Sequence, residues 1–257
     1  MANYGWQDID VILVDGFNVQ PMNVIDIEIP KPKAAIEKLH GAGNQYATAY
    51  DTGIRMADGD VVLRMPYDTD GVSTTDDSYE AFVTNAHKVD GVVAIGVEGM
   101  VKGAKVWFFK AHHLDYSHEP GMEELTKTVA TWTVNGAMHA GLIVTTLRTI
   151  TADGDTEATS LDNGASTATG GQAMLHASDV VLDGGDGLQV DVRHSPDNAT
   201  FADLVAFTAV TSDRAAEIKN VVTGTTVDQY LASQWDFTGT PGGAATAKIF
   251  VAFKRGQ

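Results

Sequence analysis

The sequence predicts a mainly β protein with one flanking α-helix, and three observations support this fold class. The stretch 187–207 alternates apolar and polar residues, turns at Ser195-Pro196-Asp197-Asn198 and then resumes the apolar pattern, as a half-buried hairpin does. Most other apolar segments are short, rich in Val, Thr and aromatic residues, and bounded by Gly, Pro or Asp. Only one segment of the chain has clear helical periodicity.

The first elements in chain order are predicted to be short strands. Residues 10–16 form a short apolar run that ends in a glycine turn. Residues 23–29 alternate branched apolar side chains with Asp26 and Glu28, so this strand is expected to have one wet face before two prolines close it. Residues 34–39 are predicted to form a single helical turn.

The helix is predicted at 74–88. Asp76 or Asp77 can cap its first turn, and a shared apolar face follows at helical spacing. That face consists of Tyr79, Phe82, Val83 and Ala86. The remaining strands of the first half are predicted at 61–65, 92–97, 104–111, 127–134 and 142–150.

A long glycine-rich segment at 40–59 separates the first strands from the rest. It has weak periodicity and scattered aromatic residues, including Tyr46 and Tyr50. Long loops inside compact domains are mostly either functional or disordered. We therefore predict a functional loop at 40–59, with an ordinary surface loop as the alternative.

The second half is predicted to be a separate β-sandwich. The segment 151–159 has little apolar content and is taken as a linker, which divides the chain into domains at 1–152 and 153–257. Short strands separated by Gly-rich turns follow it, as in immunoglobulin-like or jelly-roll sandwiches. These strands are predicted near 172–178, 188–194, 201–207, 215–222, 228–237 and 246–253.

The composition excludes several classes of function. The chain has 257 residues, 34 of them acidic and 17 basic, and a formal net charge of −17. So acidic a surface repels a nucleic-acid backbone, although it suits a wall past which DNA slides. There are no cysteines, so disulfides and thiolate metal sites are excluded. Neither a signal peptide nor a membrane-spanning apolar stretch is recognisable in the sequence.

No catalytic, cofactor-binding or metal-binding set is predicted. His112-His113 with His118-Glu119 is the one histidine cluster, and a polar loop with hydrogen-bonded histidines is favoured there over a metal site. The acidic segment 68–71 lacks the spacing of a calcium loop, and 41–43 lacks the third glycine of a dinucleotide site. His194 and Ser195 are neighbours in sequence, which does not make a catalytic triad. We expect the protein not to be an enzyme.

The C-terminal hairpin carries a family resemblance. Its HSxDNxTFADL pattern at 194–204, followed by a YLxxxW strand at 230–235, resembles the sandwich domain appended to many major tail tube proteins of long-tailed, siphovirus-like bacteriophages. The first half is similar to the tube domain of the same proteins. The matching elements are the strand at 11–19, the loop at 40–59, the helix at 79–88 and the strands at 92–98 and 141–147.

The resemblance implies a structural virion protein that is made in the host cytoplasm. It implies homo-hexameric rings stacked into a tube, through which DNA passes without specific binding. The implied partners are further copies of the chain and other tail proteins, namely the tape measure, terminator and distal tail proteins, without a membrane or a cofactor. The loop residues expected to reach the next ring are Gly41, Gly43, Tyr46, Tyr50, Gly53 and Arg55.

Two further hypotheses accompany this interpretation. Acidic residues are expected to line the channel, with Asp26 and Glu28 as the first candidates and the outer wall as their alternative location. The competing function is a cell-surface or carbohydrate-binding β-sandwich module. Exposed aromatic residues near the loops would favour that function, and Tyr230 and Trp235 are its candidates.

Overall fold

The computed structural model describes residues 11–19, 26–28, 31–39, 48–58, 60–66, 89–96, 98–119, 127–239 and 243–256, and the regular secondary structure of these residues is almost entirely β-strand. The one other regular element among them is a single 3-10 turn at Glu157–Thr159. In chain order the strands are β1 Val11–Val14, β2 Phe17–Asn18, β3 Asp26–Glu28, β4 Lys31–Leu39, β5 Thr48–Asp58, β6 Asp60–Pro66, β7 Gly91–Gly96, β8 Lys105–Glu119, β9 Lys127–Ile150, β10 Gly154–Asp155, β11 Leu161–Asp162, β12 Gly171–Val181, β13 Gly185–Ser195, β14 Ala202–Ala206, β15 Ala215–Val221, β16 Tyr230–Gly239 and β17 Thr246–Arg255.

Ten of these strands form one antiparallel sheet, the main sheet. Its path is β15-β12-β17-β9-β8-β7-β1-β2, and β6 pairs with both β9 and β3. Strand β9 is 24 residues long and pairs with three other strands. Its first part pairs with β6 and its second part pairs with β17, while β8 pairs with both parts. The remaining strands form a five-stranded second sheet, β10-β16-β13-β14 with β11 beside β16, and the two-stranded β4-β5 hairpin.

The main sheet is covered on both faces, which explains its continuous apolar runs. Every residue of β7 (GVVAIG) is buried, and the neighbouring side chains Phe108 and Phe109 in β8 are both fully buried although they point to opposite faces. Phe109 packs with Trp132 and the apolar residues of β1 and β6. Phe108 packs instead with residues from β1, β7, β9, β12 and β17. A strand buried on both faces loses the alternation that otherwise reveals it.

The two ends of the main sheet lie close together. The Arg214 guanidinium, just before β15, lies 4.0 Å from the ring centroid of Phe17 in β2. A Cβ atom at Gly16, between β1 and β2, would lie 2.8 Å from the Arg214 Cβ atom and 3.4 Å from the Ala177 carbonyl oxygen in β12. The sheet therefore curls around the cluster that contains Phe108, as an incompletely closed barrel does.

The second sheet packs on the outer face of β12, β17 and β9. Alternate residues of β13 and β16 point inward, with Leu188, Val190 and Val192 opposite Phe237, Trp235 and Ser233. Together with the facing residues of the main sheet they form one buried cluster. The strand pattern predicted for the second half is confirmed here, since all six strands occur within a few residues of their expected positions.

Strands from the two halves of the sequence share one sheet and its cores. Strand β17 pairs with β9 from Ala247 opposite Ile150 to Phe253 opposite Leu142. The predicted linker 151–159 is ordered against β16, since Trp235 Nε1 donates to the Ala152 carbonyl at 3.0 Å. Two domains at 1–152 and 153–257 remain a prediction. Fragments cut at this segment are expected to stay associated through the shared sheet.

Several sequence predictions are wrong. Residues 34–39 are part of strand β4 rather than a helical turn, and residues 48–58 are strand β5 rather than loop. The histidine cluster at 112–119 lies within β8 and not in a polar loop. In each case pairing with a neighbouring strand overrides a weak local pattern. The predicted helix at 74–88 lies outside the described residues.

A single glycine allows β8, β9 and β17 to approach one another. A Cβ atom at Gly141 would lie 2.7 Å from the Phe108 ring and 2.8 Å from the Phe253 carbonyl oxygen. We expect Gly141→Ala to lower the free energy of unfolding by about 1–3 kcal/mol, because the backbone contact cannot relax cheaply. Gly243→Ala is the control, since a Cβ atom there meets nothing within 4 Å. Equal stability of the two variants in urea unfolding would contradict the expectation.

Candidate assembly surfaces

The β4-β5 hairpin lies beside β9 but pairs with neither sheet in the described chain. Its strands pair only with each other among the described residues, from Lys31 opposite Asp58 to Leu39 opposite Thr48. The register shifts between Ala34 and Ile36, opposite the stretch that contains Gly53, and glycine within a strand is typical of such a bulge. Both long edges of the hairpin are therefore without a strand partner in the described chain. Such edges are templates for pairing with another chain.

This hairpin contains three of the six predicted loop residues. Tyr50 lies opposite Glu37 and Arg55 opposite Ala34, while Gly53 is at the bulge. Gly41, Gly43 and Tyr46 lie outside the described residues. The segment predicted to be a functional loop thus includes a paired strand.

The β14 edge of the second sheet, in contrast, is partly occupied by side chains from β15. Lys219 Nζ, from β15, donates to the carbonyl oxygen of Ala206 at the end of β14, at 2.8 Å. Glu217 accepts from the backbone N–H of Thr208 at 2.8 Å and from its hydroxyl at 3.1 Å. Charged residues that occupy edge groups are a common protection against unwanted strand pairing. The β14 edge is therefore protected against pairing with another chain.

Asp26 and Glu28 lie on the short strand β3, beside β6. Asp26 is opposite Arg64 in the register, and the Arg64 Nη1 atom lies 2.8 Å from Glu28 Oε1. The Glu28 side chain is 59% exposed, so it faces water as its alternation predicted. Arg64 offsets part of its negative charge. Whether either residue faces a channel stays a prediction.

The tip of the β13-β14 hairpin is organised by Asp197. Its Oδ1 atom accepts hydrogen bonds from the backbone N–H groups of Ala199 and Thr200 at 3.0 and 3.1 Å and from the Ser195 hydroxyl at 2.9 Å. The backbone hydrogen bonds, from Thr200 first and then Ala199, hold the pKa of Asp197 below its ordinary value. Asn198 takes a positive φ of 58°, which Asn tolerates well. The turn predicted at 195–198 is confirmed.

The neighbouring His194 and Ser195 do not meet. The buried Ser195 hydroxyl is used by Asp197, whereas His194 Nδ1 lies 2.9 Å from Asp228 Oδ2. Ser195, His194 and Asp228 therefore lack the serine–histidine hydrogen bond of a nucleophilic triad. Within the described ranges no group of three or more His, Asp or Glu side chains is arranged to hold a metal ion. No helix there is long and apolar enough to cross a membrane.

Of the two aromatic residues proposed for sugar binding, Trp235 is buried. Its side chain is 4% exposed, its indole N–H is bonded to the Ala152 carbonyl, and the Arg148 guanidinium lies 5.1 Å from its ring centroid. Tyr230 is half-buried at the start of β16. A buried tryptophan cannot offer its ring face to a carbohydrate.

Arg193 forms hydrogen bonds and ion pairs that the sequence does not predict. Its Nη2 atom donates to the Phe201 carbonyl at 2.6 Å and its Nε to Asp203 Oδ1 at 3.0 Å, and Nη1 pairs with Glu157. These contacts join the β13-β14 hairpin to the ordered segment 151–159. The only signal in the sequence is one arginine on the polar side of an alternating strand, which says nothing about distant partners.

Comparisons with known proteins find only distant structural similarity. No protein-family model matches the chain, and no curated protein matches it. Among solved structures, the Dit (gp 19.1) protein of phage SPP1 is 9% identical with a TM-score of 0.34, over 94% of this chain and 97% of that one. A chain of the phage p2 baseplate is 8% identical with a TM-score of 0.30, over 89% of each. A carbohydrate-binding module from the β-sandwich superfamily is 12% identical with a TM-score of 0.21, over 100% of this chain and 95% of that one. Similarities this low assign no function.

Proposed function

We propose that this chain is a structural subunit of a bacteriophage virion, which polymerises as stacked, homo-hexameric rings into the tail tube. The observation that carries the proposal is the β4-β5 hairpin, whose two long edges have no strand partner in the described chain. Strand edges without a partner favour assembly by pairing with neighbouring copies. The sequence resemblance at 194–204 and 230–235 supports the same class of protein.

The acidity of the chain is consistent with a conduit for DNA. A ring repeats each exposed carboxylate by symmetry, so a few acidic positions produce a strongly negative wall. Such a wall disfavours phosphate contacts and lets DNA pass without being held. In this proposal the C-terminal sandwich is an outward decoration, the chain is no enzyme, and tape measure, terminator and distal tail proteins contact the ends of the tube.

Negative-stain electron microscopy of the concentrated, purified protein tests the proposal. Rings or hollow tubes are expected to appear as the concentration rises, and sedimentation velocity should show the matching large species. A protein that stays monomeric at all accessible concentrations contradicts the proposal. A monomer that binds to a glycan array would instead support the carbohydrate-binding alternative, which the burial of Trp235 disfavours.

A further inference from the structure

The ladder between β6 and β9 stops although the chain continues as strand on both sides. Its last pair is Asp60 opposite Thr133. Because β8 occupies the opposite edge of β9, the next partner on the β6 side is β17, which begins to pair at Leu142. The stretch 134–141 of β9 therefore has an edge without a strand partner in the described chain. We call this stretch the free β9 edge.

Strand β5 continues β6 toward the free β9 edge. Strands β3 and β4 run along β6 and β5 as one long arm, with Glu28 opposite Val62 and Lys31 opposite Asp58. Since β3 and β4 occupy one edge of this arm, the edge that β6 uses to pair with β9 passes along β5 as well. Strand β5 lies beside β9 without pairing to it. The unpaired edges of β5 and β9 therefore face each other beyond the last ladder pair.

A β-bulge at the junction of β5 and β6 explains why the ladder stops. Four positions separate Asp58 from Val62, whereas three separate Glu28 from Lys31, so the β5-β6 side of the arm has one extra residue. An extra residue in one strand of an antiparallel pair bends that strand and disrupts its ladder. Strand β5 therefore leaves the line of the ladder directly beside the last pair with β9, while it stays close to β9.

The free β9 edge is held in place and is accessible. Val134 and Met138 pack against the buried cluster formed by β1, β2, β6, β7, β8 and β9. The Asn135 side-chain amide donates to the Asp90 carboxylate, which fixes the start of this stretch. Asn135 and Gly136 are exposed, and a Cβ atom at Gly136 would meet nothing within 4 Å. A second strand can therefore approach this edge without displacing packed side chains.

We propose that β5 closes onto the free β9 edge in the isolated subunit, and that this closure competes with the strand pairing through which the chain assembles. The competition rests on the proposed function, whereas the closure does not. Closure gives partners to backbone groups on both edges. A single residue separates β5 from β6, so the covalent connection keeps the two edges at a high effective concentration. A neighbouring copy must displace β9 to pair with this edge of β5, whereas the outer edge of β4 stays open.

Engineered disulfides test the closure, because the chain has no cysteine of its own. The register of β6 with β9, continued into β5, places position 56 opposite position 137. We expect mild oxidation of the Met56→Cys/Ala137→Cys chain to form an intramolecular disulfide, since this bond requires Cα atoms within about 7 Å of each other. Ala57→Cys/Ala137→Cys is one residue out of register and should oxidise several-fold more slowly. Mass spectrometry of the monomer band from a non-reducing gel measures the lost thiols.

The oxidised Met56→Cys/Ala137→Cys chain is then compared with its reduced form by sedimentation and electron microscopy. Oxidation is expected to raise the concentration for half-maximal assembly by about tenfold or more, and reduction should restore it. Thermal unfolding checks the fold, and Asp58→Cys/Asn135→Cys, from the same register, replaces a pair that does not fold.

The outcomes separate the closure from the competition. Equal oxidation of the in-register and out-of-register pairs, or no intramolecular disulfide at all, overturns the closure. A disulfide-closed chain that assembles at the concentration of its reduced form overturns the competition alone. A parent chain that never assembles overturns the proposed function and with it the competition, while the disulfides still decide the closure.

Discussion

A chain with a shortened β4-β5 hairpin is expected to remain folded but to form no tubes. In this variant an Asn-Gly turn replaces residues 37–50 and joins Ile36 to Asp51, which lie opposite each other in the hairpin register. Asn-Gly favours the tight turn that connects two antiparallel strands. The base of the hairpin, from Lys31 opposite Asp58 to Ala34 opposite Arg55, is kept.

The expected result follows from where the hairpin forms its hydrogen bonds. Neither β4 nor β5 pairs with the main or the second sheet in the described chain, so shortening the arm removes no rung of those sheets. Assembly by edge pairing, in contrast, loses the outer part of both edges, which is residues 37–39 of β4 and 48–50 of β5.

Electron microscopy and sedimentation compare the shortened chain with the parent, and thermal unfolding checks that it is folded. Val222→Ser serves as the control, since Val222 is 74% exposed and lies outside the hairpin. This control is expected to assemble like the parent. A folded, shortened chain that polymerises at the parental rate shows that the hairpin is not an assembly surface.

Acidification from pH 7 to pH 5 is expected to lower the free energy of unfolding by about 2 kcal/mol through His176 alone. This histidine lies in β12 between Ala216 of β15 and Phe250 of β17, with no exposed surface. Neither ring nitrogen has a hydrogen-bond partner in the described chain. Burial lowers the pKa of His176 from 6.5 to about 3.

The direction of the effect follows from proton binding. In the unfolded chain His176 takes up a proton as the pH falls through about 6.5, whereas in the folded chain it stays neutral down to about pH 3. Between these values the unfolded state binds more protons, so the folded state loses stability by up to about 1.4 kcal/mol per pH unit. The contribution is constant above pH 7 and levels off below pH 3.

His176→Leu tests this expectation by removing the titrating group. Urea unfolding at pH 7, 6 and 5 should show a flatter dependence on pH than in the parent. At pH 7 the variant should be more stable by about 1–3 kcal/mol, because it no longer buries unpaired polar nitrogens. Met174→Leu changes a buried residue two positions away in β12 that has no titratable group, and it should keep the parental slope. Equal slopes in the parent and His176→Leu would show that this histidine is not held neutral.

Local patterns in the sequence determined the fold class and much of the second half. The alternation in 187–207 and the turn at 195–198 predicted a hairpin that the structure confirms, because one of its faces is buried and the other wet. Strand β7 was also predictable, since six consecutive small and branched apolar residues are typical of a buried strand. The candidate surfaces were only partly predictable, because the sequence predicts a loop at 40–59 where the structure has strand β5 at Thr48–Asp58.

Only the tertiary structure decided which segments lie together. Residues 31–39 follow Pro30 and include Pro32, and both prolines favour a turn. The segment also has little alternation, yet it forms a strand because β5 supplies hydrogen-bond partners. Strand β17 pairs with β9 across a separation of about a hundred residues, which no local pattern records. Composition and periodicity act over a few neighbouring residues, whereas register and side-chain packing arise from contacts between distant parts of the chain.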